Sequence, residues 1–378
     1  MRPFVPLALR TLTYEWRRFL PSAAAMACAA VLIAVQFALV NGIFGSAAAS
    51  IDASNADLWV GLRGTQSIEL GRPVPLDTDL PLRTDRSVLS VEPFRWVSGS
   101  WWAQNGHGEE SVFVSGINPE ANGLIFAHVL EPALRARLHE PGSVIVDRGD
   151  LDKLGVPVGG SGVVNGHRVH LIAAVPGLRA LGGVSLVASL DTARSLDSDN
   201  PTERPTYYVA RIRAGESAVA VRDRVSRREA RGVQLWTRDE FSAQVVRYWL
   251  MQTGAGLGVA FISLIVTLAG AVISMQALRA ALAPCYREYA TLRAFGVSTG
   301  ALRSLVIEQT LYLAAGALFA AAVVSWVLVR IARVASVPAA LSWDMGLLSA
   351  SLVLIVILVA ALGAARWVSR LDPFVLLR

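Results

Sequence analysis

Residues 254–278 read GAGLGVAFISLIVTLAGAVISMQAL, a charge-free apolar run close to the ~20 residues that a helix needs to cross hydrocarbon. Three further runs of this kind extend from Ser22 to Phe44, from Leu305 to Val329 and from Leu347 to Val368. Of the 378 residues, 53% are hydrophobic and 17% charged, against about 25% charged in ordinary soluble chains, so a bilayer is the expected solvent. The net charge of +6 does not point to nucleic acid, because the arginines are scattered and Lys153 is the only lysine.

The arginines beside the spans set an expected orientation. Arg2, Arg10, Arg17 and Arg18 precede the first, Arg279, Arg287, Arg293 and Arg303 lie between the second and third, and Arg366, Arg370 and Arg378 lie at or beyond the end of the fourth. The loop between the third and fourth offers Arg330 and Arg333. The positive-inside rule then puts both termini and the Arg279 to Arg303 loop of this multi-pass chain in the cytoplasm, and the long stretch from about Gly45 to Leu250 outside. The expected fold class is membrane α-helical with four transmembrane helices and a large mixed α+β extracytoplasmic domain inserted between the first and second. Its parts are a cytoplasmic amphipathic helix over 1–21, spans over 22–44, 254–278, 305–329 and 347–368, and the extracytoplasmic domain with stalk helices over 45–250. A cytoplasmic coupling region over 279–304, a short outer loop over 330–346 and a cytoplasmic tail over 369–378 complete it.

Two ends of this scheme have rival readings. Val5, Leu9, Leu12, Trp16 and Phe19 recur at helical spacing, which suits a helix lying in the interface or a plain extension of the first span. Arg17-Arg18 ahead of an Ala-rich run also has the look of a cleaved signal peptide, but the apolar run is too long for one. Cys28 and Cys285 fall at different levels of the membrane, so no disulfide is expected.

The inserted segment, about 200 residues, is long enough to bury a core of its own, as one domain or two small lobes. Strands are expected at Val112-Phe113-Val114, Ser143 to Val146, His167 to Val175 and Tyr207 to Ile212, and helices over Pro132 to Leu138 and Ser217 to Glu229. Asn118-Pro119, Pro141-Gly142, Gly159 to Gly162 and Asn165-Gly166 mark the turns between them. From about Arg238 to Leu282 no proline intervenes, so one continuous helix is expected, its first part with Phe241, Val245, Tyr248 and Trp249 projecting as a stalk. Gly254 and Gly258 form a small-xxx-small pair suited to close helix approach, or a chance recurrence of a residue common in spans.

Chemistry within the chain is mostly excluded. A P-loop needs Lys followed by Ser or Thr after a glycine-rich turn, and Lys153 is followed by Leu154, so the chain makes no P-loop and any nucleotide must be handled elsewhere. The Gly159 to Gly162 cluster, followed by Val163-Val164, reads as a hairpin turn rather than an anion site. His167 and His170, three apart on a strand, point to opposite faces, which argues against a metal site; His107, His128 and His139 are isolated. No catalytic residue and no resident cofactor are expected. Trp96, Trp101 and Trp102 could meet a lipidic partner, although large aromatics in a folded lobe more often form core.

Tyr286 to Gln309 reads YREYATLRAFGVSTGALRSLVIEQ. Pro284 breaks the preceding helix, and a new amphipathic one over Tyr286 to Phe295 would carry Tyr289, Leu292 and Phe295 on one side, as a groove-docking helix or an ordinary interfacial loop. Glu308 is costly in mid-membrane, so it is expected near the cytoplasmic end of its span, paired or protonated, with Arg303 as candidate partner. This stretch resembles the signature of the MacB/FtsX-like ABC permeases, with Arg287, Glu288, Leu292, Arg293, Ala294, Gly296 and Glu308 in matching places. Ser143 to Val175 resembles the family's outer domain, with Gly160 a departure where relatives often carry an acidic residue. The ending Leu371-Asp372-Pro373-Phe374-Val375-Leu376-Leu377-Arg378 resembles its usual terminus, and the combination leans toward the DevC-like or haem-exporter-like branch. The resemblance implies that Arg287 to Gly296 dock on a separate ABC ATPase subunit, that the permease is a homodimer, and that a periplasmic adaptor and an outer-membrane channel can take part. It implies export of a lipid, lipoprotein, peptide, haem or drug by mechanotransmission, or alternatively activation of a cell-wall hydrolase; a membrane sensor or anchor is the remaining reading.

Overall fold

The computed structural model describes residues 14–103, 108–198, 200, 202–227, 232–285, 288, 291–292, 295–334, 337, 339 and 343–368. The chain divides into two compact units, Met1–Gly42 with Gly258–Arg378, and Ile43–Leu257. In chain order, helix α1 (Trp16–Gly45) is followed by strands β1 (Leu58–Leu62), β2 (Val88–Ala103), β3 (Glu110–Ile117), β4 (Ser143–Asp147), β5 (Ser161–Val164), β6 (His167–Val175) and β7 (Val184–Ser189). Then come α2 (Leu190–Leu196), β8 (Tyr207–Ile212), α3 (Ala218–Ser226), β9 (Val233–Thr237), α4 (Arg238–Met251), α5 (Gly254–Leu282), α6 (Thr299–Val334) and α7 (Trp343–Val368). Short one-turn helices fill several of the loops, among them Pro132–Ala136 where a helix was expected.

Three helices are long and apolar enough to cross a membrane, Trp16–Asp52, Gly254–Leu282 and Gly300–Ala332, and α7 holds a shorter apolar stretch over Gly346–Val356 among the described residues. Phe19, Met26 and Ile33 of α1 form one buried cluster with Leu278 and Leu282 of α5, Leu302, Val306 and Leu313 of α6 and Val353 of α7. The close approach is at Gly270, where a Cβ would lie 3.0 Å from Ile33 Cδ1; Gly254 and Gly258 face open space, so that pair makes no helix contact here. Gln36 Nε2 donates to Ser263 Oγ at 3.1 Å, and Ser263 Oγ donates in turn to Val259 O at 2.8 Å, a polar clasp inside an apolar seam.

In the unit Ile43–Leu257 the four expected strands are all present, as β3, β4, β6 and β8. The strands run in the order β3-β7-β4-β6-β5-β2-β8-β1-β9, and β3 pairs again with β2. That second pairing closes β2 to β7 into a six-membered ring, with parallel pairs β3–β7 and β4–β6, and so removes the exposed edges of an open sheet. Val97, Trp101, Val112, Val114, Val144, Val146, Leu171 and Leu186 are buried in one cluster of this barrel lobe. β2 then runs on: Arg95 to Trp101 pair with β3, while Val88 to Phe94 pair with β8 of a second, open lobe built from β8, β1 and β9. The two lobes thus share a single strand.

Local chemistry explains the turns. Asn165 (φ 49°) and Gly166 (φ 84°) form the two-residue loop of the β5–β6 hairpin, the left-handed conformation that Asn-Gly favours. The Gly159 to Gly162 cluster, expected from sequence to be a hairpin turn, is divided: Gly159 and Gly160 form the turn leading into β5, where Gly159 N donates to Leu171 O at 2.7 Å, and Gly162 lies within the strand. Trp101 is core, its Nε1 donating to Leu154 O at 3.0 Å; Trp96 packs partly buried against Phe113, and Trp102 is exposed.

The open lobe is centred on aromatics: Trp59 lies 5.6 Å from both Phe94 and Phe241, and Trp236 stacks on Phe241 at 4.7 Å. Phe241 and Val245 of α4 are therefore fully buried against their own sheet rather than projecting as a free stalk. Burial also pushes the Tyr207 phenol well above its ordinary value, and its hydroxyl donates to Ile68 O at 2.9 Å. α4 starts on a capping box, in which Thr237 Oγ1 accepts from Glu240 N at 3.3 Å and Glu240 Oε2 accepts from Thr237 N at 3.0 Å. Partial burial opposes ionisation of Glu240, but bonds from the Arg222 guanidinium and from Thr237 outweigh it and hold its carboxyl below the ordinary value. With the folded value depressed, this contribution is full above the ordinary carboxylate range and is lost as the pH falls through the lowered value. Thr237→Ala is expected to cost about 1 kcal/mol, read as a lower midpoint in thermal unfolding of the detergent-solubilised chain.

The continuous helix expected from Arg238 to Leu282 is broken at Gln252 and Thr253. Thr253 Oγ1 donates to Trp249 O at 2.6 Å and accepts from Gly256 N at 3.1 Å, so one hydroxyl serves the end of α4 and the start of α5. Gly256 makes the bend possible, since a Cβ there would sit 2.2 Å from Trp249 O.

Candidate functional site

The segment expected to couple lies between α5 and α6. α5 ends at Leu282 and passes into a 3-10 turn over Ala283–Cys285, at the proline. Arg287, Arg293 and Ala294, with Tyr286 and Tyr289, lie outside the described residues; Glu288, Leu292 and Gly296 are within them. Glu288 is exposed, and its Oε1 is 3.5 Å from Nη1 of Arg18 on α1, which also holds Glu15 at 2.6 Å. Cys28 and Cys285 are both free.

Leu292 and Val297 pack against the buried cluster of this unit, whereas Phe295 is 83% exposed. The sequence places Leu292 and Phe295 on one helix face; the structure packs the first and exposes the second. Phe295 N donates to Thr291 O and Val297 N to Leu292 O, both at 3.1 Å, and Gly296 has φ +88°. This is a left-handed glycine cap, with the six-to-one bond that returns the chain toward the helix. No atom lies within 4 Å of the Gly296 Cβ position, so glycine is required for its backbone angle and not for space. Ser298 then opens α6, its Oγ accepting from Ala301 N at 3.3 Å.

Glu308 is half-buried on α6, two turns in; the side chain of Arg303, its candidate partner, lies outside the described residues. Beside it Gln309 and Thr310 are buried, and Thr310 Oγ1 donates to Val306 O at 2.8 Å. Among the described residues no group of three His, Cys, Asp or Glu side chains gathers to hold a metal; His170 Nε2 lies 3.3 Å from Glu140 instead. Among the described residues, the arrangement between α5 and α6 is a short capped turn that presents a carboxylate and an aromatic ring.

Sequence reasoning missed the reach of Arg18 to Glu288, for which only a long-range contact gives a signal. It also missed the Ser298 cap, which a serine three residues before Ala301 at a helix start does announce.

Comparison with known proteins bears on the same region. Residues 260–373 match the family described as FtsX-like permease C-terminal. No curated protein matches the chain. Among solved structures, the periplasmic region of MacB from Actinobacillus actinomycetemcomitans aligns at 11% identity over 52% of this chain and 95% of that one, with a TM-score of 0.36. The extracellular domain of the noncanonic ABC-type transporter YknZ from Gram-positive bacteria aligns at 11% identity over 48% of this chain and 98% of that one, with a TM-score of 0.34. The segment between α5 and α6, with the helices on either side of it, is thus similar to the C-terminal region of FtsX-like permeases.

Proposed function

We propose that the chain is the permease subunit of an ABC-type exporter and that a separate ATPase subunit, with its own ATP and Mg²⁺, docks on the turn between α5 and α6. The observation that carries this reading is the FtsX-like permease match over 260–373, which contains the glycine-capped turn with exposed Glu288 and Phe295. In this reading Arg287, Glu288, Leu292, Arg293, Ala294 and Gly296 form the docking element, four spans cross the inner membrane with both termini inside, and two copies pair. Motion of the turn passes along α5 to the unit Ile43–Leu257 outside, which expels or hands over the substrate; the DevC-like leaning belongs to the same reading. Arg18, bonded to both Glu15 and Glu288, ties the docking element to the start of α1.

The test is co-purification with the ATPase and measurement of ATP turnover with and without the permease. Glu288→Ala and Gly296→Trp are expected to weaken assembly or uncouple hydrolysis. The glycine change also forces a left-handed backbone on a side chain at about 1–2 kcal/mol. Unchanged coupling in both would remove the assignment, as would ATP turnover by the permease alone. Reporter fusions at Gly108 and Gly300 are expected to report opposite sides of the membrane.

A further inference from the structure

The unit formed by Met1–Gly42 and Gly258–Arg378 contains a cavity of about 460 Å³ among α1, α6 and α7. Small residues leave the space: Ala30 and Ala34 on α1, Ala321 and Ala322 on α6, Ser349 and Ala350 on α7. It runs along α6 from Leu318 to Trp326, about 12 Å at ~1.5 Å per residue.

Two polar features lie toward one end. Ser325 is 2% exposed, and among the described residues its hydroxyl has no hydrogen-bond partner. Hydroxyls elsewhere in these helices bond back to their own backbone, as Ser349 Oγ does to Gly346 O at 3.0 Å. One helical turn beyond Trp326, the exposed Arg330 guanidinium lies 5.3 Å from the Trp326 ring centroid. Along α6 the order is therefore a cation, an indole, an unpaired hydroxyl and an apolar slot.

We propose that the slot holds one acyl chain of an anionic membrane phospholipid. Its phosphate is held by Arg330, and an ester oxygen accepts from Ser325, about 7.5 Å further along the helix. Arginine and tryptophan are the side chains that suit headgroup level, and the slot runs parallel to the helices as lipid chains do. A helix of a second copy fits less well. An apolar span of a second copy would leave the buried Ser325 hydroxyl without a partner. The inference rests on α6 and α7 lying in the membrane and not on export, so its failure and the failure of the transport reading are distinguishable.

The test is native mass spectrometry of the full chain taken from vesicles of equal parts phosphatidylglycerol and phosphatidylcholine. The unchanged chain is expected to retain phosphatidylglycerol in preference to phosphatidylcholine. Arg330→Gln, a surface change that leaves the fold intact, is expected to reduce that preference about tenfold. Ala34→Leu with Ser325→Leu, shown to keep its helical circular dichroism, is expected to reduce retention of either lipid by a similar factor. Retention of neither lipid by the unchanged chain, or undiminished retention and preference in both variants, would overturn the proposal. So would conversion of a dimer to a monomer by the filled variant with lipid retention unchanged, because the slot would then belong to a second copy.

Discussion

Arg95→Ala is expected to destabilise the unit Ile43–Leu257 by roughly 3–5 kcal/mol, the cost of leaving a buried charge without its partner. Arg95 is 2% exposed, and it bonds Asp197 at 2.8 Å and the carbonyls of Asn200, Thr202 and Arg204 at 3.1, 2.7 and 2.8 Å. It stands where β2 passes from one lobe to the other, and the loop it holds leads directly into β8. Truncation removes the buried cation that faces the Asp197 carboxylate, itself 8% exposed, and takes a donor from three carbonyls at once. The measurement is hydrogen exchange of β2 and β8 amides in the full detergent-solubilised chain; a loss below about 1 kcal/mol would show that the loop is held by other contacts. Arg95→Lys keeps the charge but has no planar fork, so an intermediate loss is expected.

Gly256→Val should be nearly as damaging, about 3 kcal/mol at the upper end of overpacking costs, because its Cβ would lie 2.2 Å from Trp249 O and 2.3 Å from Leu250 O. These are backbone atoms, which cannot swing aside as a flexible side chain can. Gly254→Ala and Gly258→Ala are the matched controls: both positions face open space, and alanine is the better helix former by up to ~1 kcal/mol, so neutral or slightly stabilising outcomes are expected. Thermal unfolding midpoints of the three variants decide the matter. Equal behaviour of all three would mean that the bend at Thr253 carries no constraint.

The contrast between these glycines shows what the sequence can and cannot say. Alternation along β6 marks a strand because a two-residue period is a local property, the short β-branched run of β4 marks one that is buried throughout, and Asn165-Gly166 announces its hairpin because the turn needs left-handed residues. Closure of the barrel lobe was not legible. It depends on β3 meeting both β2 and β7, and on parallel pairings whose partners lie far apart in the chain. The break between α4 and α5 carried a faint signal, a threonine three residues before Gly256, which competed with the strong impression of a proline-free apolar run. Between α5 and α6 the glycine cap was legible from Gly296 itself, but the parting of Leu292 and Phe295 was not, because helical spacing does not say which residues of a face the neighbouring helices cover.

The long β2 strand has one more consequence. Its ladders to β3 and β8 are antiparallel, with their bonds perpendicular to the strand, so a pull along its axis loads every bond in shear at once instead of unzipping them singly. A body spliced on such a spine resists axial tension as one piece, and it yields more readily to a sideways peel begun at the β9 margin.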